Sequence, residues 1–391
     1  MNRLLLLLFG LGLLAVGRPH RVLAQVDTTR TLPLSATLAV PTGQADTLHL
    51  QTLAELAEQS YRGGLACFED KEYSAALASY NNAIAAQPDY LPPYSARAAA
   101  YFDLKDYNKA LDGYNQAIRL EPRNYTNLLG RAQVYEAQEN WADAEKDYSK
   151  ALDGGANVGA AWYRRGGIRF NRGEYKLALD DFNGAIKADR KDAAAYHDRA
   201  SAQLKLGNYH EAALDYTSAL DFAPTMYIAY LNRAVAESRD GENDQATRDY
   251  NSYIRYRPSD PLGWNSRGCA KLALGDLDGA KSDFSKAIEL DGKYAPAWNN
   301  RSVANMRLKQ YERADADATR AIGLDAQYAE AYINRGNARE MLRRADDACQ
   351  DWRKAGDLGI EAGNAYALNA GCGPPPVTAA PDAEPPVASK P

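Results

Sequence analysis

Cysteine, histidine and phenylalanine are scarce in this chain, with four, four and seven copies among 391 residues. The motifs that usually announce catalysis are missing altogether: there is no HExxH, no Walker loop, no nucleophile elbow and no paired-Cys zinc spacing. Carboxylates are plentiful, but they are spread along the chain rather than clustered. Outside the first residues the only histidines are His49, His197 and His210. The chain is therefore expected to be non-catalytic, with no cofactor, no metal and no catalytic residue. Basic clusters are missing too. The net charge is −5, and removal of residues 1–24, which carry three Arg and no acid, takes it to −8. Nucleic acid, whose phosphates call for grouped Lys and Arg, is an unsuitable partner.

Long apolar runs are confined to the amino terminus. Leu4–Val16 is an unbroken run of 13 residues after Arg3, short for a membrane helix and suited to a signal peptide. Cleavage is expected after Ala24. That predicts an exported protein, periplasmic or associated with the cell envelope, with no membrane span in the mature chain. A polar linker is expected over 25–46 and a Pro/Ala-rich disordered tail over 371–391. Of the four cysteines, Cys67 and Cys269 lie too far apart in the repeat register derived below to pair. Cys349 and Cys372 are a candidate disulfide, the alternative being a buried helical Cys349 and a free Cys372 in the tail.

What the chain does have is tyrosine, 26 copies, a bias that suggests one residue type recurring at one structural position. A period of 34 accounts for it. Units starting at 57, 91, 125, 159, 193, 227, 261, 295 and 329 run without insertion or deletion through residue 362. Position 20 of the unit is alanine in all nine, from Ala76 to Ala348, and position 8 is always Gly, Ala or Ser. Position 24 is aromatic in eight, from Tyr80 to Trp352, and position 27 is alanine except at Tyr253. Small side chains set against large ones, at helical spacing, predict an antiparallel helix pair in each unit. Turns such as Leu206-Gly207-Asn208-Tyr209 separate the helices, and Pro88, Pro122, Pro224 and Pro258 at position 32 end the second one.

These residues at this period resemble the tetratricopeptide repeat family over residues 57–362, although the leucine usual at position 7 is never present. The resemblance implies an all-α, right-handed α-solenoid of nine helix-turn-helix repeats spanning 47–370. A tenth, partial unit at 363–370, broken by Gly371, would cap it. Position 7 is instead arginine in eight repeats, from Arg97 to Arg335, and position 23 is aspartate in the last seven, from Asp147 to Asp351. The arginines could form a basic ladder for an acidic ligand or pair within the fold. The matching aspartates favour pairing.

The resemblance also implies that the first helices line a concave groove through positions 2, 5, 6, 9, 12 and 13. The early repeats place Tyr61, Phe68, Phe102, Tyr163 and Phe170 there, an apolar stripe suited to peptide side chains. The late repeats place Asn265, Asn299, Asn300, Asn334 and Asn337, whose amides can donate to and accept from a peptide backbone. The set resembles the asparagine ladders of some family members rather than a carboxylate clamp. The function expected is that of an adaptor or scaffold binding a protein or peptide partner, as a monomer or weakly self-associating chain. The alternatives are a structural spacer and a non-catalytic subunit of an envelope enzyme or carrier complex.

Overall fold

The structure, a computed structural model, describes residues 44–155 and 158–373. The expected signal peptide at 1–24, most of the expected linker and the tail beyond 373 lie outside the described residues. Two compact units divide at Pro224 and Thr225.

The first unit stacks five helix pairs. They are α1 (Gln44–Glu69) with α2 (Tyr73–Ala86), α3 (Pro92–Asp103) with α4 (Tyr107–Leu120), α5 (Tyr125–Ala137) with α6 (Trp141–Asp153), α7 (Gly159–Asn171) with α8 (Tyr175–Ala188), and α9 (Ala193–Leu206) with α10 (Tyr209–Phe222). The second unit stacks four pairs and a single last helix. These are α11 (Tyr227–Asp240) with α12 (Asn243–Tyr256), α13 (Pro261–Leu274) with α14 (Leu277–Leu290), α15 (Ala295–Arg307) with α16 (Tyr311–Leu324), α17 (Ala329–Met341) with α18 (Ala345–Asp357), and then α19 (Glu361–Asn369). Among the described residues there is no strand, and no helix is long and apolar enough to cross a membrane. Each unit is an α-solenoid of helix hairpins.

Packing inside each pair follows from the small-against-large pattern. All nine position-20 alanines are fully buried. A Cβ added at Gly64, Gly166, Gly268 or Gly336 would stand only 2.5–2.8 Å from Tyr80, Phe182, Phe284 or Trp352, so position 8 is the hole for the ring sixteen residues on. The hairpin turns share one device. Position 15 has positive φ in every repeat, as Gly at 173, 207, 241 and 275 and as Lys71, Lys105, Glu139, Lys309 and Arg343 elsewhere. A left-handed residue there lets the chain leave the first helix and enter the second within a few residues.

At the amino end the first helix takes in the last three residues of the expected linker. Helix α1 starts at Gln44, where residues 44–56 hold no Pro or Gly and include four Leu, two Ala and two Gln. At the other end α19 lays Ala367 against Trp352 and Ile333, with Ile360 and Cys372 closing the cluster. Cys349 of α18 and Cys372 form a disulfide, their Cα atoms 5.7 Å apart. Cys67 and Cys269 are free thiols.

Candidate functional site: the inner face of the first helices

Within each unit the first helices of neighbouring repeats touch one another: α1 with α3, α3 with α5 and α7 with α9, then α13 with α15 and α15 with α17. Neighbouring second helices make no comparable contact, so the first helices form the tighter, inner layer. The residues at positions 2, 5, 6, 9 and 12 lie on these helices.

The arginine ladder is consumed by the fold. Arg131, Arg165, Arg199, Arg233, Arg267, Arg301 and Arg335 each grip the aspartate sixteen residues ahead, on the second helix of the same repeat, through Nε and Nη2. This is the bidentate geometry in which guanidinium and carboxylate are strongest. The aspartates are buried, Asp147 at 2% exposure and Asp181 at 1%. The hydrogen bond that Arg131 donates to Asp147 holds the guanidinium above its usual range.

The same arginines also reach backwards, which the sequence reading missed. Nη1 of Arg97, Arg131, Arg165, Arg199, Arg267 and Arg301 donates to Asn81, Asn115, Ser149, Asn183, Asn251 and Ser285, each sixteen residues earlier on the preceding second helix. Each guanidinium thus ties two repeats together. Most also stack on the position-4 aromatic one turn back, as Arg165 does on Trp162 and Arg267 on Trp264. The small polar residue at position 25 was a visible signal, legible once the offset of sixteen is applied in both directions.

The predicted asparagines also turn towards one another. Asn300 Nδ2 donates to Asn265 Oδ1 at 3.0 Å and Asn334 Nδ2 to Asn299 Oδ1 at 2.8 Å, so position 6 of one repeat meets position 5 of the repeat before it. Asn265, Asn299 and Asn334 are buried. The expectation that these three present amides to a ligand gives way to a seam between adjacent first helices, in which Asn265 and Asn299 accept through Oδ1 while Asn265 Nδ2 stays buried without a partner. Asn300 and Asn337 stay half-buried on the inner face. Asn337 Oδ1 accepts from Trp352 Nε1.

The aromatic stripe is partly spent in the same way. Tyr61 is buried against Tyr80 and Tyr90. Phe68, Phe102 and Phe170 remain half-buried and lean on Tyr73, Tyr107 and Tyr175 across their own hairpin turns, with ring centroids 5.3–5.9 Å apart. Tyr163 packs on Phe182 and donates to Asp198 Oδ2 at 2.6 Å, while Asp198 Oδ1 pairs with His197 Nδ1 at 2.8 Å. Burial, then Asp198, pushes the Tyr163 hydroxyl well above its ordinary value.

Both inner faces carry charged side chains, differently partnered. In the first unit Glu58, Arg62, Glu136, Arg164 and Asp198 stand at inner positions. Glu136 accepts from Arg164 and from the Tyr148 hydroxyl, and burial pushes it above the usual carboxylate range in spite of both. A narrow crevice beside it is lined by Leu129, Gln133, Val158 and Arg164. In the second unit the corresponding positions carry Glu330 and Glu340, with Arg239 and Arg307 at position 13. A separate open recess of about 410 Å³, lined by Leu104–Asn108 and Gln138, lies at the hairpin turn and brings together no reactive set. Among the described residues no three His, Cys, Asp or Glu side chains are grouped to hold a metal.

One carboxylate departs from the repeat's own pattern. At position 11, Arg169, Lys271, Asn305 and Arg339 each donate to the aspartate of their own repeat. The sixth repeat has Glu237 there instead. It is 8% exposed, with Oε2 unpartnered and Arg233 3.9 Å away. Burial, then Asp249, pushes its carboxyl up to about 7.

Family models described as a tetratricopeptide repeat match residues 93–124, 129–193, 197–261, 263–294 and 295–328. No curated protein matches the chain. Among solved structures, the chain is similar to YrrB, described as a TPR protein with an unusual peptide-binding site, at 22% identity and TM-score 0.45, covering 47% of this chain and 95% of that one. A tetratricopeptide repeat protein from Parabacteroides merdae aligns at 22% identity and TM-score 0.43, covering 63% and 97%. Yeast Tom70 aligns at 16% identity and TM-score 0.42, covering 81% and 96%.

Proposed function

The chain belongs to the tetratricopeptide repeat family, and from that premise we propose that it is a non-catalytic scaffold holding an extended segment of a protein partner along the inner face of its first helices. One observation carries the reading. Beside the Arg–Asp ladder and the asparagine seam, the inner face presents half-buried apolar side chains, among them Leu65, Val235, Val303 and Met306. Such side chains gain by being covered. A groove of this kind binds at equilibrium, with affinity set by a few well-placed contacts.

The protein is further proposed to work outside the cytoplasm, as a monomer or weak self-associate. The apolar run at Leu4–Val16 supports export, and so does the Cys349–Cys372 disulfide, since such bonds persist in oxidising compartments. A second reading, a rigid spacer, draws on the guanidinium ties between successive repeats, which stiffen the array.

A pull-down from the native envelope fraction separates the two readings. The bait is the mature protein, compared with a variant carrying Phe102→Ala, Phe170→Ala, Val303→Ser and Met306→Ser. A partner held by the first and lost from the second is the expected result, whereas equal capture by both, or none, moves the assignment to the spacer.

A further inference from the structure

Away from the inner face, the hairpin-turn edge of the first unit carries a row of rings. Position 17 opens the second helix of the first three repeats as Tyr73, Tyr107 and Trp141. Phe68 and Phe102, at position 12, pack against the first two, with ring centroids 5.6 and 5.9 Å apart. The third repeat has Glu136 at position 12, turned to Arg164 and Tyr148, so Trp141 has no ring to lean on and stays 47% exposed. Leu104, 46% exposed, lines the open recess of about 410 Å³ together with Tyr107 and Gln138. Gln138 closes α5 just before Trp141 opens α6.

The edge offers donors as well as rings. Among the described residues neither the Trp141 indole N–H nor the Tyr107 hydroxyl has an acceptor. Asp106 is held by Lys109 at 2.8 Å, which leaves Lys105 as the recess's unpaired cation. A polyproline II helix fits such an edge. Its carbonyls have no internal donors, its prolines lie flat on rings, and its fixed φ lowers the entropy lost on binding. Its period is three residues, or about 9 Å. Helices α1, α3 and α5 touch in succession, and touching helices lie about 8–10 Å apart, so rings at their turn ends recur close to that period.

We propose that the turn edge from Tyr107 to Trp141 binds a proline-rich segment as a polyproline II helix, and that residues 374–391 of a second copy of this chain supply it. That segment holds seven prolines in 18 residues, with Pro374, Pro375 and Pro376 in a row and Pro385 and Pro386 as a pair. Asp382 and Glu384 stand just before the pair and carry the charge opposite to that of Lys105. Ring edge and proline segment are different parts of the chain, so the contact is head-to-tail. It rests on a few surface side chains and is therefore weak, growing with concentration. The proposal is independent of the groove-binding reading.

The test mixes a fluorescent synthetic peptide of residues 374–391 with the mature protein in which every proline after Gly373 is changed to alanine, so that no other copy of the segment competes. The peptide's anisotropy should rise on binding. Trp141→Ser should weaken that binding roughly 10-fold, Leu104→Ser should weaken it in the same direction, and a peptide with alanine in place of proline should lose as much. Both side chains are about half exposed, so circular dichroism and the melting point of each variant should match the parent. Sedimentation of the unaltered mature protein should show association that grows with concentration and is absent from the proline-free variant. No peptide binding, or binding undiminished by Trp141→Ser and Leu104→Ser, overturns the site. Peptide binding without concentration-dependent association of the unaltered protein, or association that survives loss of the prolines, overturns the second copy as the source.

Discussion

The two units are built on one scaffold and carry different inner faces. In both, an arginine at position 7 binds its own repeat's aspartate and the preceding repeat's position 25, and in both a glycine or alanine at position 8 receives a ring from position 24. On the inner surface they part. The first unit sets charges there in mutually satisfied groups, Glu136 with Arg164 and Asp198 with His197 and Tyr163. The second unit joins its first helices through amides, Asn300 to Asn265 and Asn334 to Asn299. The residues that define the fold and the residues free to vary are therefore separable within a single 34-residue unit. Natural repeat arrays hold their core positions and change their inner ones.

The sharpest way to break the claim of a common scaffold is to remove the shared arginine in each unit. Asp147 is 2% exposed and depends on Arg131 alone for ion pairing, so Arg131→Ala should cost about 3–5 kcal/mol in the local opening of α5 and α6. Arg335→Ala should cost measurably less, because Asp351 keeps Arg339 at 2.8 Å. Native-state hydrogen exchange reads both, and equal effects would mean that the second donor at position 11 contributes nothing.

A difference confined to the second unit comes next. Its last helix is tied by a disulfide across 23 residues, so Cys372→Ser should release about 2–4 kcal/mol of protection from α18 and α19. Amides in α1 to α10 should not change. A uniform loss across both units would show that the two open together rather than separately.

The smallest expected effect is the pH response of the sixth repeat. Glu237 has its folded pKa raised from 4.5 to about 7, so between those values the folded chain holds a proton that the unfolded chain has released. Glu237's contribution to the stability of this region is then greatest below pH 4.5, falls as the pH rises, and levels off above about 7, by on the order of 2 kcal/mol. Glu237→Gln should flatten that profile in α11 and α12 while leaving the first unit's profile as it was. An unaltered slope in the variant would assign the response to another group.

Much of the architecture was legible without coordinates. The period of 34, the invariant alanine at position 20 and the ring at position 24 are each forced by the closest approach of two helices, where one methyl too many cannot be accommodated. A constraint of that kind writes the same letter into every copy, and repetition makes it readable. The aspartates sixteen residues after the arginines were legible for the same reason. The backward contact to position 25 was harder to see, because Asn, Ser and Thr all serve as its acceptor and no single letter recurs.

The inner face was legible only as a region. By itself the sequence determined the fold class, the repeat register and the small-against-large packing, since these depend on local periodicity and on volume. The tertiary structure alone decided which polar side chains were spent. Asn299 and Asn300 are adjacent copies of one residue on one helix, yet Asn299 is sealed against Asn334 while Asn300 keeps an atom towards the groove. An amide on a helix can meet a ligand or the next helix with equal chemical ease. The choice rests on how closely the neighbouring repeat approaches, a distance that no single repeat's sequence contains.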